Sequence, residues 1–374
     1  MSAEGRVVVH IERTGDPRAR LDFVPPADIS GVLAGRVPRE ATAIIGAVYR
    51  LCGIAQSHAS AIAMEEALTL DPPTNTQVTR TVLTMAESLR EHLVRIALDW
   101  PRLVGRDVNV KPLRPLFDLA DRLAANYNGD MDAFAVAADC EMDIPVTLRV
   151  IAETEARLSK HIFCEPLTDW LARRSLDELF SWADRAGSGA AGIIASVRTS
   201  GGFLIGAKAS DLLPADHDSL IDLCNMALGR EGDVPETGVY ARRANDPLIA
   251  SLGQVTLGVR LVSRLVELAR LPAELRAMLT GAAPAPRGGS VTHGTGSGIV
   301  EAARGLLLHR ARMEDGRIAD YRIMAPTQWN FHPRGIAARC LSRIDGEDMH
   351  NVEMQAHMVV QAIDPCVACE VRVH

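Results

Sequence analysis

The stretch PREATAIIGAVYRLCGIAQSHASAIAMEEALTL, residues 38–70, indicates helical structure on both sides of a cysteine. A proline at the start, acidic first-turn chemistry and apolar residues at helical spacing are typical of an α-helix. The Cys52-Gly53 step interrupts this pattern. The stretch therefore predicts a helical core that begins near residue 38.

Helical patterns continue through the middle of the chain, separated by Pro and Gly. They cover residues 75–99, 112–126, 145–162, 175–186, 215–229 and 255–280. The two ends have β character instead. RVVVHIE and ARLDFV flank a TGDP turn, GLLLHRARM and RIADYRIMA flank EDG, and each set predicts a β-hairpin. The run GAAPAPRGGSVTHGTGSG, residues 281–298, is expected to be flexible.

These patterns predict a mainly α fold with small β elements, an α+β helical bundle with N- and C-terminal β hairpins. We interpret residues 1–374 as a single domain. It contains an N-terminal β region at 1–30, a helical core at 38–285 and a C-terminal α+β region at 299–374. Because a helical middle often folds back, the two β-rich ends are expected to come together.

Composition narrows the class of function. The chain has 374 residues, 47% hydrophobic and 23% charged, with a formal net charge of -7. This charge balance argues against nucleic acid as a partner, because binding its phosphates requires clusters of Lys and Arg. The N-terminus lacks signal-peptide features and no apolar run is long enough to span a membrane. We therefore expect a cytoplasmic protein without membrane contact.

Seven cysteines in a chain without secretory features are expected to be reduced. Three have suggestive neighbours: Cys52, and the pair Cys366 and Cys369 in the terminal DPCVACEVRVH. C-x-x-C suits soft metals or redox exchange. Redox exchange is less favoured, because a thioredoxin-type motif needs a following helix and only EVRVH follows. A zinc site is a further alternative, in which Cys52 and His58 complete the ligands.

Four segments together resemble the large subunit of nickel-iron hydrogenases. RLCGIAQSH resembles the family's R-x-C-G-x-C-x-x-x-H element, and DPCVACEVRVH resembles its terminal D-P-C-x-x-C-x-x-H. EAARGLLLH resembles E-A-P-R-G, and DGRIADYRIMAPTQWNFHPRG resembles the element that contains P-T-x-W-N. The order and relative positions agree along the whole chain.

The resemblance implies a metal site in which four cysteines hold nickel and an iron with two cyanides and one carbon monoxide. Cys52 and Cys366 match ligands of nickel alone, and Cys369 matches a ligand that bridges both metals. The second bridging position is Ala55, which has no lone pair to donate. The resemblance thus implies a site that is not a normal binuclear centre, with nickel not expected.

Other positions carry supporting roles by the same resemblance. Arg304 and Thr327 match side chains that donate hydrogen bonds to the cyanides, each bond contributing about 1.5 to 3 kcal/mol. His58 matches a histidine that bonds a cysteine sulfur. Ala303 replaces the proline before the arginine. Glu4 is a further candidate, matching a proton-relaying glutamate in the family's I-E-G-H element.

The family's structural cation site is altered in this sequence. Ser30 stands at the position of a carboxylate ligand, and Arg372 at that of the terminal histidine ligand. A guanidinium there is expected to replace the charge of the ion. His374 lies close enough that a shifted alignment restores one ligand.

The combination most resembles accessory relatives of the large subunit, the hydrogenase expression/formation proteins of the HupK/HoxV type. It implies a non-enzymatic scaffold that transiently holds iron with its cyanide and carbonyl ligands before transfer. Implied partners are the hydrogenase large-subunit precursor, a HypC-type chaperone and the complex that assembles the iron fragment. Two alternatives stay open: a divergent hydrogenase large subunit with hydrogen-oxidising or sensing activity, and a structural protein that has lost its metal, as in respiratory complex I.

Overall fold

The structure is a computed structural model. It describes residues 5–12, 19–26, 28–49, 51–129, 132–207, 212, 234–282, 294–344 and 348–374. Over these residues the chain is mainly helical, with small sheets of three, two and three strands. The predicted α+β fold class is confirmed.

Helices make up most of the regular structure in the described residues. They are α1 Ser30–Leu33, α2 Pro38–Val48, α3 Gly53–Ala67, α4 Thr74–Val94, α5 Trp100–Leu103, α6 Arg114–Phe117, α7 Leu119–Ala124, α8 Ile144–Leu158, α9 Leu167–Leu171, α10 Leu176–Arg185, α11 Gly189–Thr199, α12 Val239–Arg243, α13 Pro247–Ser251, α14 Leu257–Leu279, α15 Pro326–Asn330, α16 Ile336–Leu341 and α17 Met349–Ile363. The turns Arg95–Asp99 and Ser159–Phe163 are π-helical, and Lys111–Leu113 is a 3-10 turn.

Local sequence explains several of these boundaries. Side-chain oxygens of Asp143, Ser175 and Thr256 accept backbone N–H groups in the first turns of α8, α10 and α14. Such caps satisfy donors that the helix itself leaves unpaired. The break at Cys52-Gly53 is confirmed, since α2 ends before it and α3 begins at Gly53. The predicted helix 112–126 is instead three short pieces, with prolines at the start of two. The predicted helix 215–229 lies outside the described residues.

The two ends of the chain meet in one sheet. Its strands are β1 Arg6–Ile11, β2 Ala19–Val24 and β8 Ala368–Val373, in the order β2-β1-β8. β1 pairs with β2 as the predicted antiparallel hairpin and with β8 in parallel. The expected approach of the ends is confirmed, and the last residues of the chain form a strand that the sequence did not predict.

A second three-stranded sheet packs on helix α3. Its strands are β5 Thr295–Ala302, β6 Gly305–Glu314 and β7 Arg317–Met324, all antiparallel; a two-stranded sheet, β3 Tyr127–Gly129 and β4 Cys140–Met142, lies elsewhere. The predicted hairpin is β6–β7. Residues 295–298 were expected to be flexible; this was wrong, because Gly296 and Gly298 let β5 approach the α3 backbone. A Cβ on Gly298 would lie 1.9 Å from the Ala59 carbonyl oxygen.

The main hydrophobic core lies around helix α14, which packs on α4, α8, α11 and α17. Trp100, Trp170 and Trp182 are fully buried in it. Burial of such large apolar side chains supplies most of the stability of a helical domain. Among the helices in the described ranges, none combines the length and apolar character needed to cross a membrane.

Candidate metal-binding site

Two distant parts of the chain bring a cysteine each to one cavity. Cys52 and Cys366 both line one small cavity. The other lining residues are mostly apolar, with one guanidinium and one amide: Gln56, Ala302, Ala303, Arg304, Leu307, Ala325 and Pro326. Two sulfurs and a buried cation in an apolar cavity can bind a soft metal that carries anionic ligands.

Cys52 is held at this cavity by the start of helix α3. It immediately precedes the helix, and the carboxylate of Glu87 on α4 accepts the backbone N–H groups of Ile54 and Ala55 at 2.9 and 3.0 Å. Burial raises the pKa of Glu87 to about 7 despite these bonds. The same carboxylate therefore satisfies two otherwise unpaired donors and fixes the first turn of α3 against α4.

Burial also raises the pKa of the Cys52 thiol. The nearby Cys366 and Glu87 raise this pKa further, while Arg304 and a hydrogen bond from Gln56 lower it. A thiol in this setting stays protonated until a metal displaces its proton. The side chain thus suits a ligand that is deprotonated on binding.

Cys366 is positioned by the residues around the end of helix α17. Asp364 ends that helix with a φ of 61°, a left-handed conformation that is unusual for a residue other than Gly. Its buried carboxylate accepts from Arg95 Nε and Arg264 Nη1, both at 2.8 Å. The turn directs the next residues toward α15, where the backbone N–H of Cys366 donates to Thr327 Oγ1 at 2.9 Å.

Arg304 lies at the centre of a buried ionic cluster. Its Nη2 donates to Glu91 at 3.0 Å, and its Nε lies 3.3 Å from Asp364. Burial opposes its charge, but these carboxylates raise the pKa of Arg304 further. Burial likewise opposes ionisation of Asp364, yet Arg304, Arg264 and Arg95 hold the pKa of Asp364 well below its usual range. The guanidinium is a permanent cation at the cavity wall.

Two nitrogens of this guanidinium lack a hydrogen-bond acceptor. Among the residues that the structure describes, buried Arg304 Nε has an ionic contact with Asp364 but no hydrogen bond, and buried Nη1 has no acceptor. The nearby Glu301 pairs with Arg242. A buried unpaired N–H group is costly, so Nη1 is available to an acceptor in the cavity that Arg304 lines.

Thr327, the second predicted cyanide donor, contacts a cysteine in the structure. Its Oγ1 lies 2.7 Å from Cys366 Sγ, and Thr327 is not among the residues that line the cavity. The structure thus places Arg304 at the cavity and Thr327 directly behind Cys366.

The other two positions of the cysteine motif, Cys369 and Ala55, lie in apolar surroundings. Cys369 lies on strand β8 opposite Val7, packs against the main core and does not line the cavity. Burial raises the pKa of Cys369 to about 11. Ala55 is fully buried in a small apolar cluster that also contacts Cys52. Of the three predicted ligands, the cavity brings together two.

The remaining predicted residues lie in other surroundings. His58 is buried on α3, where its Nδ1 lies 2.9 Å from Thr84 Oγ1 and its ring contacts Phe134. His374 is at the end of β8, with its Nε2 2.8 Å from His10 Nδ1. Glu4 lies outside the described residues.

The expectation for the altered cation site is not supported. Ser30 bonds to Asp28, whereas Arg372 bonds to Glu370 on its own strand and is largely exposed. The guanidinium therefore does not fill a buried cation site. Within the described part of the chain, no group of three or more His, Cys, Asp or Glu side chains is arranged to hold a metal ion, which also leaves the zinc alternative without a ligand set.

Sequence reasoning missed three residues that shape the site: Gln56, Glu87 and Glu91. The signal for the two glutamates was available, since Glu87 and Glu91 are four residues apart on one face of a helix, and buried carboxylates need partners. The partner of Glu91 is 213 residues away, which local patterns do not reveal.

Comparisons with known proteins agree with these features. A family model described as nickel-dependent hydrogenase matches residues 28–106 and 274–374. A "hydrogenase expression/formation protein HupV" of Azotobacter chroococcum is 28% identical, covering 93% of this chain and 92% of that protein. A protein of Rhizobium leguminosarum named "HupK" is 29% identical over 93% of this chain and 90% of its own length, and one of Cupriavidus necator named "HoxV" is 27% identical over 90% and 88%.

Solved structures share the fold. A NiFeSe hydrogenase of Desulfomicrobium baculatum superposes with a TM-score of 0.65 at 16% identity, covering 93% of both chains. A Ni-Fe-Se hydrogenase of Desulfovibrio vulgaris Hildenborough gives a TM-score of 0.62, also at 16% identity, over 93% of this chain and 92% of that one. At this identity the match concerns the fold alone.

Proposed function

The chain belongs to the nickel-iron hydrogenase large-subunit superfamily, and from that premise we propose that it is a hydrogenase maturation accessory protein. Relatives similar over nearly their whole length are named for hydrogenase expression and formation rather than for catalysis. Within that role, the protein binds iron carrying two cyanides and one carbon monoxide as cargo and transfers it to the hydrogenase large subunit.

The unpartnered Nη1 of Arg304 carries this proposal. A cyanide on iron is an anionic acceptor, and Arg304 Nη1 is a buried donor at the cavity without an acceptor among the described residues. A charge-assisted bond of this kind contributes about 1.5 to 3 kcal/mol. Glu91 and Asp364 fix the guanidinium, so little orientation is lost on binding.

The other lining residues fit the same cargo. Cys52 and Cys366 supply two sulfurs to the iron, and Ala302, Leu307 and Pro326 offer an apolar wall to carbon monoxide. The Thr327 hydroxyl supports Cys366 at 2.7 Å. Hydrogen bonds to a ligating sulfur tune its electron donation, which is a way to make the iron exchangeable.

The cavity does not suit a lasting nickel-iron pair. Such a centre requires four thiolates, whereas Ala55 has replaced one cysteine and Cys369 does not line the cavity. Fewer sulfur ligands also bind the iron less tightly. A protein that transfers its cargo needs such weaker binding. We therefore propose a non-enzymatic role in the cytoplasm, with the large-subunit precursor, a HypC-type chaperone and the iron-fragment assembly complex as partners.

The test is infrared and metal analysis of protein purified without oxygen from a host with the full maturation machinery. We expect cyanide and carbonyl stretching bands, iron and little nickel. Cys52→Ala and Cys366→Ala variants are expected to lose the bands, whereas Cys164→Ala, at an exposed cysteine elsewhere, keeps them. Stoichiometric nickel with hydrogen-dependent dye reduction in the presence of a small subunit would instead establish a divergent hydrogenase.

A further inference from the structure

A line of buried hydrogen bonds runs from the candidate site into the sheet behind it. Gln56 Nε2 donates to Cys52 Sγ at 3.7 Å. Gln56 Oε1 lies 2.7 Å from His309 Nε2, and His309 Nδ1 lies 2.6 Å from the Tyr321 hydroxyl. Gln56, His309 and Tyr321 are each at most 2% exposed. We call these three residues the Gln56 relay.

The chemistry of each group sets the direction of the bonds. The Gln56 amide oxygen can only accept, so His309 Nε2 must carry a proton and donate to it. Burial lowers the pKa of His309 to about 3, so the ring is neutral and its Nδ1 is an acceptor. Tyr321 then donates its hydroxyl proton to that nitrogen. Every bond in the Gln56 relay points toward the Cys52 sulfur.

The three members come from different elements, which makes the arrangement rigid. Gln56 lies in the first turn of α3, His309 on β6 and Tyr321 on β7. The Gln56 amide cannot turn its oxygen toward the sulfur without losing the bond from His309. Because polar groups buried together are costly unless fully paired, such a connected set holds one orientation.

We propose that Gln56, oriented by His309 and Tyr321, is a positioning residue that donates a hydrogen bond to the Cys52 sulfur and tunes its binding of the iron cargo. The inference rests on the proposed function. A donor to a ligating sulfur withdraws electron density from it, and so reduces what the sulfur passes to iron. The amide thus weakens a ligand at a site that has to release its metal.

The spectroscopic test uses Gln56→Met, which keeps a similar shape but has no N–H, in protein loaded in a maturation-competent host. We expect the carbonyl band to shift to lower wavenumber, because a more electron-rich sulfur increases back-donation to carbon monoxide. Tyr321→Phe, two bonds further away, should shift the band less in the same direction. Gln77→Met is the matched control, because the Gln77 amide donates to the Pro72 carbonyl away from the cavity. This variant should leave the carbonyl band in place.

A second test needs no metal. Nuclear magnetic resonance of protein containing ¹⁵N-labelled histidine reports which ring nitrogen of His309 is protonated, and His309→Gln identifies the signal. The inference predicts a neutral ring with the proton on Nε2 in the wild type. A proton on Nδ1 would overturn it, because the amide oxygen would then face the sulfur.

The two tests separate this inference from the function it rests on. If loaded wild type shows the bands and Gln56→Met does not shift them, the positioning role is wrong and the proposed function stands. If the wild type shows no diatomic bands at all, the proposed function is wrong, and the tuning of iron by Gln56 is wrong with it.

Discussion

Thr327 Oγ1 lies 2.7 Å from Cys366 Sγ and accepts the backbone N–H of the same cysteine at 2.9 Å. The oxygen and the sulfur are within hydrogen-bonding distance, and either the hydroxyl or the thiol can be the donor. One hydroxyl therefore fixes both the backbone and the side chain of Cys366. This contact joins helix α15 to the segment that leads into strand β8.

Thr327→Val removes this hydroxyl while keeping the shape of the side chain. The Cys366 N–H then lacks its partner, so we expect a loss of about 1 to 3 kcal/mol in the free energy of unfolding, measured by denaturant titration. Thr327→Ser retains the hydroxyl and should lose much less. Equal losses for Val and Ser would show that packing of the methyl group, not the hydrogen bonds, is what matters.

Among the single groups near the site, the buried carboxylate of Asp364 is predicted to contribute most to stability. Asp364→Asn leaves Arg95, Arg264 and Arg304 without their shared counter-charge. Breaking a buried ion pair on one side costs about 3 to 5 kcal/mol, so the midpoint of chemical denaturation should fall markedly. The control is Glu370→Gln, whose exposed partner is Arg372, and no measurable change is expected there.

Local patterns predicted the parts of the fold that depend on neighbours in sequence. Helices α3, α4 and α14 and both hairpins follow from periodicity and turn residues. Strand β8 does not, because its edge is completed only by β1 at the other end of the chain. The run EVRVH alternates polar and apolar residues, but so short a run does not show which strand it pairs with.

The candidate site, too, could be predicted only in part from the sequence. The motif residues Cys52, Cys366 and Arg304 could be named from sequence, and the structure places all three on one cavity. The residues that hold these side chains in place could not be predicted. Glu91 is hydrogen-bonded to Arg304, 213 residues away, and His309 to Gln56, 253 residues away. Such pairs depend on how α3, α4 and the second sheet pack together.

His374 is predicted to hold the end of strand β8. Its Nε2 lies 2.8 Å from His10 Nδ1, and its backbone N–H donates to the Ile11 carbonyl. With His374→Ala we expect the β8 amides to exchange with deuterium roughly two- to tenfold faster, the factor that loss of one hydrogen bond gives. Arg372→Ala, on the same strand but largely exposed, serves as the control. Unchanged exchange in His374→Ala would show that strand pairing alone holds the tail.

His309 is predicted to make stability depend on pH. Its pKa is about 3 in the folded protein because of burial, against about 6.5 when unfolded. Between these values the unfolded chain binds the extra proton, so stability falls as the pH is lowered through this window. From His309 alone we expect a loss of about 2 kcal/mol between pH 7 and pH 5, measured by denaturant titration at each pH.

His309→Gln removes this titration, so its stability should change less between pH 7 and pH 5 than that of the wild type. The comparison is made within each protein, so a uniform cost of the substitution cancels. If both proteins lose the same amount on acidification, the ring is not held neutral by burial.

The contact between strand β5 and helix α3 sets the distance between Cys52 and Arg304, and Gly298 makes that contact possible. A Cβ at Gly298 would lie 1.9 Å from the Ala59 carbonyl oxygen and 2.9 Å from the Ala63 nitrogen. Both neighbours are backbone atoms that cannot rotate away, so Gly298→Ala must separate the strand from the helix.

We expect Gly298→Ala to lower the free energy of unfolding by about 1 to 3 kcal/mol or more, which is the usual range for overpacking. Thermal unfolding measures this loss. Cys52 immediately precedes α3 and Arg304 lies two residues after the end of β5, so iron binding should fall with stability. Gly31→Ala is the control, because no atom lies within 4 Å of its Cβ position, and alanine is the better helix former. If Gly298→Ala is as stable as Gly31→Ala, the strand can shift without cost and does not fix the site.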